Sequence, residues 1–227
     1  MSKKKSKQSF TISEVQNDKG SLQFVLAGSY QDGLDKSVAN AIRRTLLNDI
    51  PTVAFETDED YVNKDITMVT NHSSLHNEMF LHRISLVPLY LDPEVFRKHY
   101  LFECHVKHDT PEPFRFITAN DLNIYPLTPE LQEKLDRFQD EGVETSDFLE
   151  RDFQERLDTH SPDNYQMDKP MTQKDKDKIL RPFTFRGNTH YCMLNELKHT
   201  GTEGVHQEVH FYGSPSVKTG AKNSRYQ

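Results

Sequence analysis

Hydrophobic positions in the first 52 residues follow two successive periods. Phe10, Ile12 and, less regularly, Val15 precede the cluster Asn17-Asp18-Lys19-Gly20, and Leu22, Phe24 and Leu26 then alternate along the chain. Period-two spacing around a turn-forming cluster predicts two strands over 9–30. The period then lengthens. Val38, Ile42, Leu46 and Ile50 recur at i, i+4 and predict the apolar stripe of a helix over 36–50. Asp35 offers an N-cap oxygen, and Pro51 stops the helix because the residue before a proline is pushed out of the α region. Asn40, Arg43, Arg44 and Leu47 share a different side. Two forked, permanent cations beside a hydrophobe suit bidentate contacts to a partner's carboxylates, although paired helix arginines are more often a solvated face. A hairpin packed on this helix would make an α+β layer.

Further on, Val53–Phe55 and Ile66–Val69 read as strand segments. Residues 75–86 read as a helix with Leu75, Met79, Phe80, Ile84 and Leu86 on its apolar side, closed by Pro88. Residues 101–125 look β-rich, with Pro111 and Pro113 in the loop between strands. Thr128-Pro129-Glu130 starts a helix with cap, proline at N1 and acid at N2, and Leu131, Leu135 and Phe138 line it. A second helical pattern runs from Phe148 to Leu157. Residues 158–178, ending in the alternating charges of Lys174–Lys178, read as a solvated loop or disordered segment. Order resumes in strand-like stretches at Ile179-Leu180, Phe183–Phe185, His190–Leu197 and Val205–Phe211.

A net charge of −7, 34% hydrophobic residues, 28% charged residues and a mean hydropathy of −0.78 leave room for a core of uneven extent. That charge argues against direct nucleic-acid binding. Its one basic cluster, Lys3-Lys4-Lys5 with Lys7, reads as a disordered tail over 1–8. Two cysteines, Cys104 and Cys192, fit a reducing compartment without a disulfide framework. No apolar run reaches membrane length, so no membrane contact is expected and the protein should be soluble and intracellular. No phosphate-cradling glycine loop and no GxSxG elbow occur. Cys104, His105 and His108, joined by His190 and Cys192, are the best metal candidates, and His72 with His76 the next. On a strand Cys104 and His105 point to opposite faces. The expectation is therefore no metal and no cofactor, with a small metal-dependent enzyme kept as the alternative.

The segment Asn40-Ala41-Ile42-Arg43-Arg44-Thr45-Leu46-Leu47-Asn48-Asp49-Ile50-Pro51-Thr52-Val53-Ala54 resembles the N-A-L-R-R-x-L-L-x-x-x-P-x-x-A stretch of the α-type assembly subunits of multisubunit RNA polymerases. These are the bacterial α subunit, the archaeal D subunit and the third-largest subunit of the eukaryotic enzyme II. Asn71 to Leu89, with Glu78, His82, Arg83 and Pro88-Leu89 at matching spacing, is similar to the archaeal and eukaryotic version, N-x-S-x-L-x-D-E-x-x-A-H-R-L-G-L-I-P-L. More weakly, Phe116–Leu122 looks like a strand of that family's insert domain, and Ala221–Gln227 like the A-K-W stretch leading back to its dimerisation domain.

The resemblance implies an α+β chain of two domains. Residues 9–52 would be the N-terminal half of a dimerisation domain (hairpin plus helix, incomplete) and 53–215 a mostly β insert domain. Residues 129–178 would be an extra charged helical insertion, and 216–227 the start of the return. It implies a non-catalytic scaffold. Its partners would be a smaller α-like subunit, or a missing C-terminal half, and the large catalytic subunits. Asn40, Arg43, Arg44 and Leu47, with Glu78, His82 and Arg83, would bind partners. The location would be nucleus or cytoplasm, or a viral factory or virion for a viral source. Two departures stand out. The four-cysteine cluster of many relatives is missing, and the later strands and long helix of the dimerisation domain are not in this sequence. The insertion over 129–178 is expected to be solvated helix rather than a docking arm.

Overall fold

A computed structural model describes residues 11–18, 21–28, 34–57, 65–93, 100–140, 161–202 and 204–226. The chain is α+β and divides into two compact units at the Ile50–Pro51 bond.

In the first unit, β1 (Thr11–Asp18) and β2 (Ser21–Ala27) form an antiparallel hairpin. Its register slips between Ser13 and Gln16, where Glu14 adopts a φ of 52°. An extra residue in left-handed conformation lets β1 bulge without ending the pairing. Helix α1 (Lys36–Asn48) begins where expected. The Asp35 carboxylate accepts from the Ser37 amide at 2.6 Å and the Val38 amide at 3.3 Å, satisfying two donors that no helical carbonyl can reach. The Ser37 hydroxyl donates to the same oxygen. These bonds, the Ser37 hydroxyl's foremost, hold the Asp35 carboxyl below the usual carboxylate range. No residue of α1 is buried.

The second unit is built on a four-stranded antiparallel sheet ordered β4 (Ile66–Asn71), β11 (Gln207–Gly213), β5 (Tyr100–His108), β7 (Asn123–Pro126). Alternation along the central strands decides what is buried. Val209, Phe211, Phe102, Cys104 and Val106 point to one face, where Phe80 of α2 (Asn77–Ser85) meets Phe211 edge-on at 5.6 Å. Strands β6 (Phe114–Thr118) and β10 (Met193–Lys198) pair with each other and add Ile117, Leu194 and Leu197 to the same core. Gly213 pairs with both Ile66 and Phe102, and a Cβ there would sit 2.0 Å from the Asp65 carbonyl oxygen. Only glycine lets β4 and β11 approach so closely.

Strands β3 (Pro51–Ala54) and β12 (Ser216–Thr219) pair antiparallel, and the short 3-10 turn Ser224–Tyr226 closes over them. Tyr226 is buried, and its hydroxyl bonds the Ser216 hydroxyl at 2.9 Å. Its carbonyl accepts from the Thr52 hydroxyl at 2.8 Å. Residues 216–226, expected to lead back to the first domain, thus pack within the second unit.

Three expectations need correction. First, residues 161–180 are anchored by buried Asn164, Tyr165, Lys176, Ile179 and Leu180 and do not form a wholly solvated or disordered loop. Helix α3 (Pro129–Asp140) places Leu131 with Tyr165, Leu101, Tyr125 and Leu127 in a second apolar cluster on the other face of the sheet. The segment after residue 160 runs back along β7, with the Gln166 amide on the Pro126 carbonyl (2.9 Å) and the Met171 amide on the Ile124 carbonyl (2.8 Å). It covers an edge strand that would otherwise stay open. Second, Lys174–Lys178 lies in helix α4 (Gln173–Leu180), so Ile179-Leu180 is a helix end and not a strand. Thr172 caps the helix through the Asp175 amide, and Lys176 is buried with its ammonium donating to the Asn120 carbonyl at 2.6 Å. Its aliphatic stem behaves as core while its head finds an oxygen. Third, α2 buries Phe80, Leu81 and Ile84, whereas Met79 and Leu86, read as core, are 59% and 57% exposed. The side chains of Leu135 and Phe138 and the pattern from Phe148 to Leu157 lie outside the described residues.

Candidate functional site

The partner-facing residues expected from the sequence fall on two helices, one in each unit. On α1 the Asn40 side-chain oxygen accepts from Arg43 Nη2 at 2.9 Å and Nε at 3.2 Å. Asparagine three residues ahead therefore holds the guanidinium in one orientation along the helix, which reduces the entropy lost on binding. Arg44 borders a shallow polar pocket of about 230 Å³ with Ala41, Thr45, Asn48 and Asp49. The opposite stripe is open too: Val38 is 36%, Ile42 38%, Leu46 57% and Ile50 46% exposed, and Leu47 is 42% exposed. A helix of this amphipathicity with no buried residue presents apolar area that a partner can cover.

On α2 the expected residues separate. Arg83 is half-buried and donates to the Leu194 carbonyl at 3.2 Å, tying the helix to β10. Glu78 and His82 are exposed, four residues apart on the outward side with Met79. The acid lies in the first turn and the base in the last, each favourable to the helix dipole. Met79, expected on the apolar side, instead points outward. Phe80, Leu81 and Ile84 form the competing stripe that settles the orientation.

The turn before α2 explains much of its motif. Asn71 Oδ1 accepts from the Ser73 amide (3.1 Å) and hydroxyl (2.6 Å), while its Nδ2 donates to the Leu75 carbonyl (2.9 Å) and Asn77 Oδ1 (2.6 Å). Asn195 of β10 donates to the Ser73 hydroxyl at 2.8 Å. One asparagine side chain thus replaces a turn's own hydrogen bonds and sets the angle of α2.

Among the described residues no three His, Cys, Asp or Glu side chains converge as metal ligands. Cys104 is fully buried, and desolvation pushes its thiol far above the usual range, so it packs as a small hydrophobe. His105 faces out and stacks on His210 across the strands at 4.5 Å. Their Nε2 atoms bond different carboxylates, Glu208 at 2.7 Å and Glu103 at 3.0 Å. The His105 contact is the largest of the influences holding Glu208 below its ordinary range. Tyr125 donates to Glu103 at 3.0 Å, and burial first, then that bond, pushes its phenol up to about 12.

Comparison with known proteins adds the family. A model of the RNA polymerase Rpb3/Rpb11 dimerisation domain matches residues 31–204. The human DNA-directed RNA polymerases I and III subunit RPAC1 is 33% identical over 87 residues, covering 38% of this chain and 21% of that protein. The yeast protein of the same name (Saccharomyces cerevisiae) is 40% identical over 62 residues, or 27% of this chain and 16% of its own length. DNA-directed RNA polymerase subunit Rpo3 of Thermococcus kodakarensis is 32% identical over 87 residues, 38% of this chain and 28% of that subunit. The matches span 16–28% of the length of these relatives. No helix among the described residues is long and apolar enough to cross a membrane.

Proposed function

This chain belongs to the RNA polymerase Rpb3/Rpb11 dimerisation-domain family, and on that premise we propose that it is a non-catalytic assembly subunit of a DNA-directed RNA polymerase. In this reading residues 9–52 are the dimerisation segment and 53–215 the insert domain, elaborated over 129–178. The first unit pairs with a smaller α-like subunit. Asn40, Arg43, Arg44 and Leu47, with Glu78, His82 and Arg83, then meet the large catalytic subunits. The observation that carries the reading is α1 itself, whose apolar stripe and Asn40-oriented Arg43 both lie open. Such a surface suits a chain that acts by contact and needs no reaction of its own.

The test is recovery of the tagged protein from its native source, followed by mass spectrometry. Wild type should bring down one α-like subunit and both large subunits. Ile42→Asp with Leu46→Asp should lose all of them, because two carboxylates cannot be buried unpaired. Arg43→Ala with Arg44→Ala should keep the α-like subunit and lose the large ones. Retention of the large subunits by the arginine variant would refute the assignment of that face alone. Recovery of no polymerase subunit with wild type would refute the assembly reading itself.

A further inference from the structure

Within the second unit, β8 (Phe183–Phe185) and β9 (Asn188–His190) form a small hairpin whose aromatic side chains stay in solvent. Phe183 and Phe185 are 56% and 57% exposed. The His190 ring stacks on Phe183 at 5.5 Å and leans toward Phe185 at 6.5 Å. The Arg186 guanidinium lies over the Phe185 ring at 5.2 Å, and Arg181, just before the hairpin, covers the exposed Tyr90 ring at 3.9 Å. Rings and cations therefore alternate along one strip.

Two features set the strip apart from the rest of this acidic chain. From Ile179 to Asn195 there is no aspartate, glutamate or lysine. Aromatic residues and arginine enriched, lysine and acids depleted, is the composition of the centre of a protein interface. A phosphate-tracking groove would accept lysine as readily. The second feature is conformational. Arg181 has a φ of 39° at the end of α4, and Arg186 a φ of 50° beside Gly187 at 82° in the hairpin turn. A helix end of this kind prefers glycine or asparagine. A two-residue turn with both φ values positive prefers asparagine-glycine. At both places the backbone argues against arginine, and strain of this sort points to a use for the side chain.

We propose that the 181–190 strip is a second protein-docking surface, distinct from α1. Its occupant is an acidic segment that sets an apolar side chain between Phe183, Phe185 and His190 and its carboxylates on Arg181 and Arg186. The chemistry is charge-assisted and bidentate at the guanidiniums, with the rings supplying desolvated area. The proposal stands on Arg181 and the hairpin and does not need the polymerase reading.

The strain provides the test. Arg181→Asn with Arg186→Asn removes both cations while placing the favoured residue at each left-handed position, so the fold should be at least as stable in urea as wild type. A photo-crosslinking phenylalanine analogue at Phe185 in the full chain, in its native cell, should capture a protein segment with acids flanking an apolar residue. A synthetic peptide of that segment should bind wild type in fluorescence anisotropy and bind the double asparagine variant about tenfold or more weakly. Capture of RNA or DNA instead would overturn the proposal in favour of a nucleic-acid surface. Labelling no stronger than at the exposed Val69, a captured segment without acids, or equal peptide binding by the variant would each overturn it outright.

Discussion

Tyr226 offers the sharpest test of how the second unit holds its ends together, because one side chain combines two separable contributions. Its ring is 1% exposed. Its hydroxyl bonds Ser216 at 2.9 Å and reaches the Ala54 carbonyl only at 3.5 Å. Removing the hydroxyl alone, as Tyr226→Phe, leaves Ser216 still donating to Asp65 at 2.6 Å. Ser216 keeps a partner and the Ala54 contact is long, so the cost should stay near about 0.5–1.5 kcal/mol. Tyr226→Ala also empties the space under the turn, and truncating a fully buried aromatic costs about 3–5 kcal/mol. The bond from the Thr52 hydroxyl to the Tyr226 carbonyl needs no tyrosine side chain and stays available in both variants.

The assay is urea unfolding followed by far-ultraviolet circular dichroism, since the chain has no tryptophan. Both variants should lower the midpoint of the second unit's transition with its slope unchanged. The alanine variant should lose at least twice as much stability as the phenylalanine one. Equal losses would mean that the hydroxyl network, not ring burial, seals the turn. A loss under about 1 kcal/mol for alanine would refute the closure reading, because surface changes fall in that range.

Burial holds the Tyr226 phenol up at about 12, and Tyr125 also stands at about 12. A folded value raised above the ordinary tyrosine value of about 10 gives stability that is complete below pH 10 and lost as pH rises toward 12. Stability should therefore fall in that window, and ultraviolet titration of the folded protein should show Tyr226 and Tyr125 among its late phenols. Gly213→Ala should cost about 3 kcal/mol or more, at the top of the overpacking range, because the new methyl meets backbone rather than a movable side chain. Its signature is loss of soluble, cooperatively unfolding protein. Lys176→Met keeps the buried stem but strips the Asn120 carbonyl of its donor. A loss of about 1–2 kcal/mol in urea unfolding is expected, against less than about 0.5 kcal/mol for a solvated lysine.

What could be read from the sequence follows the strength of local signals. The first hairpin and α1 were legible because period, cap and proline agree at every step. The central strands were legible because Phe102, Cys104 and Val106, like Val209 and Phe211, alternate cleanly. The segment 161–180 was not, since alternating lysine and aspartate look solvated by composition. The counter-signal was local: Thr172 with Asp175 three residues on, followed by Ile179-Leu180. The hidden half of the evidence was tertiary, in the open edge of β7 and the bare side chains of Leu101 and Tyr125 that the segment covers. The aromatic hairpin was missed for a similar reason. The strand at Phe183–Phe185 was legible, but only the pairing across the turn at Arg186-Gly187 brings His190 onto the Phe183 ring.

The motif around α2 shows why recognising a family does not locate its interface. Asn71, Ser73, Asn77 and Arg83 each commit at least one polar atom within the chain, fixing the turn and tying α2 to β10. Glu78 and His82, from the same motif, point outward beside Met79, which no motif singles out. Inward and outward residues must therefore fail differently when changed. Asn71→Ala strands the Ser73 and Leu75 backbone groups and lowers stability, weakening any partner only through the fold. Glu78→Ala and Met79→Ala leave the urea midpoint within about 0.5 kcal/mol of wild type. If α2 is a docking helix, they weaken recovery of the large polymerase subunits all the same. Full recovery with both outward residues removed would leave α2 as a purely structural helix and move the contact with the large subunits to α1.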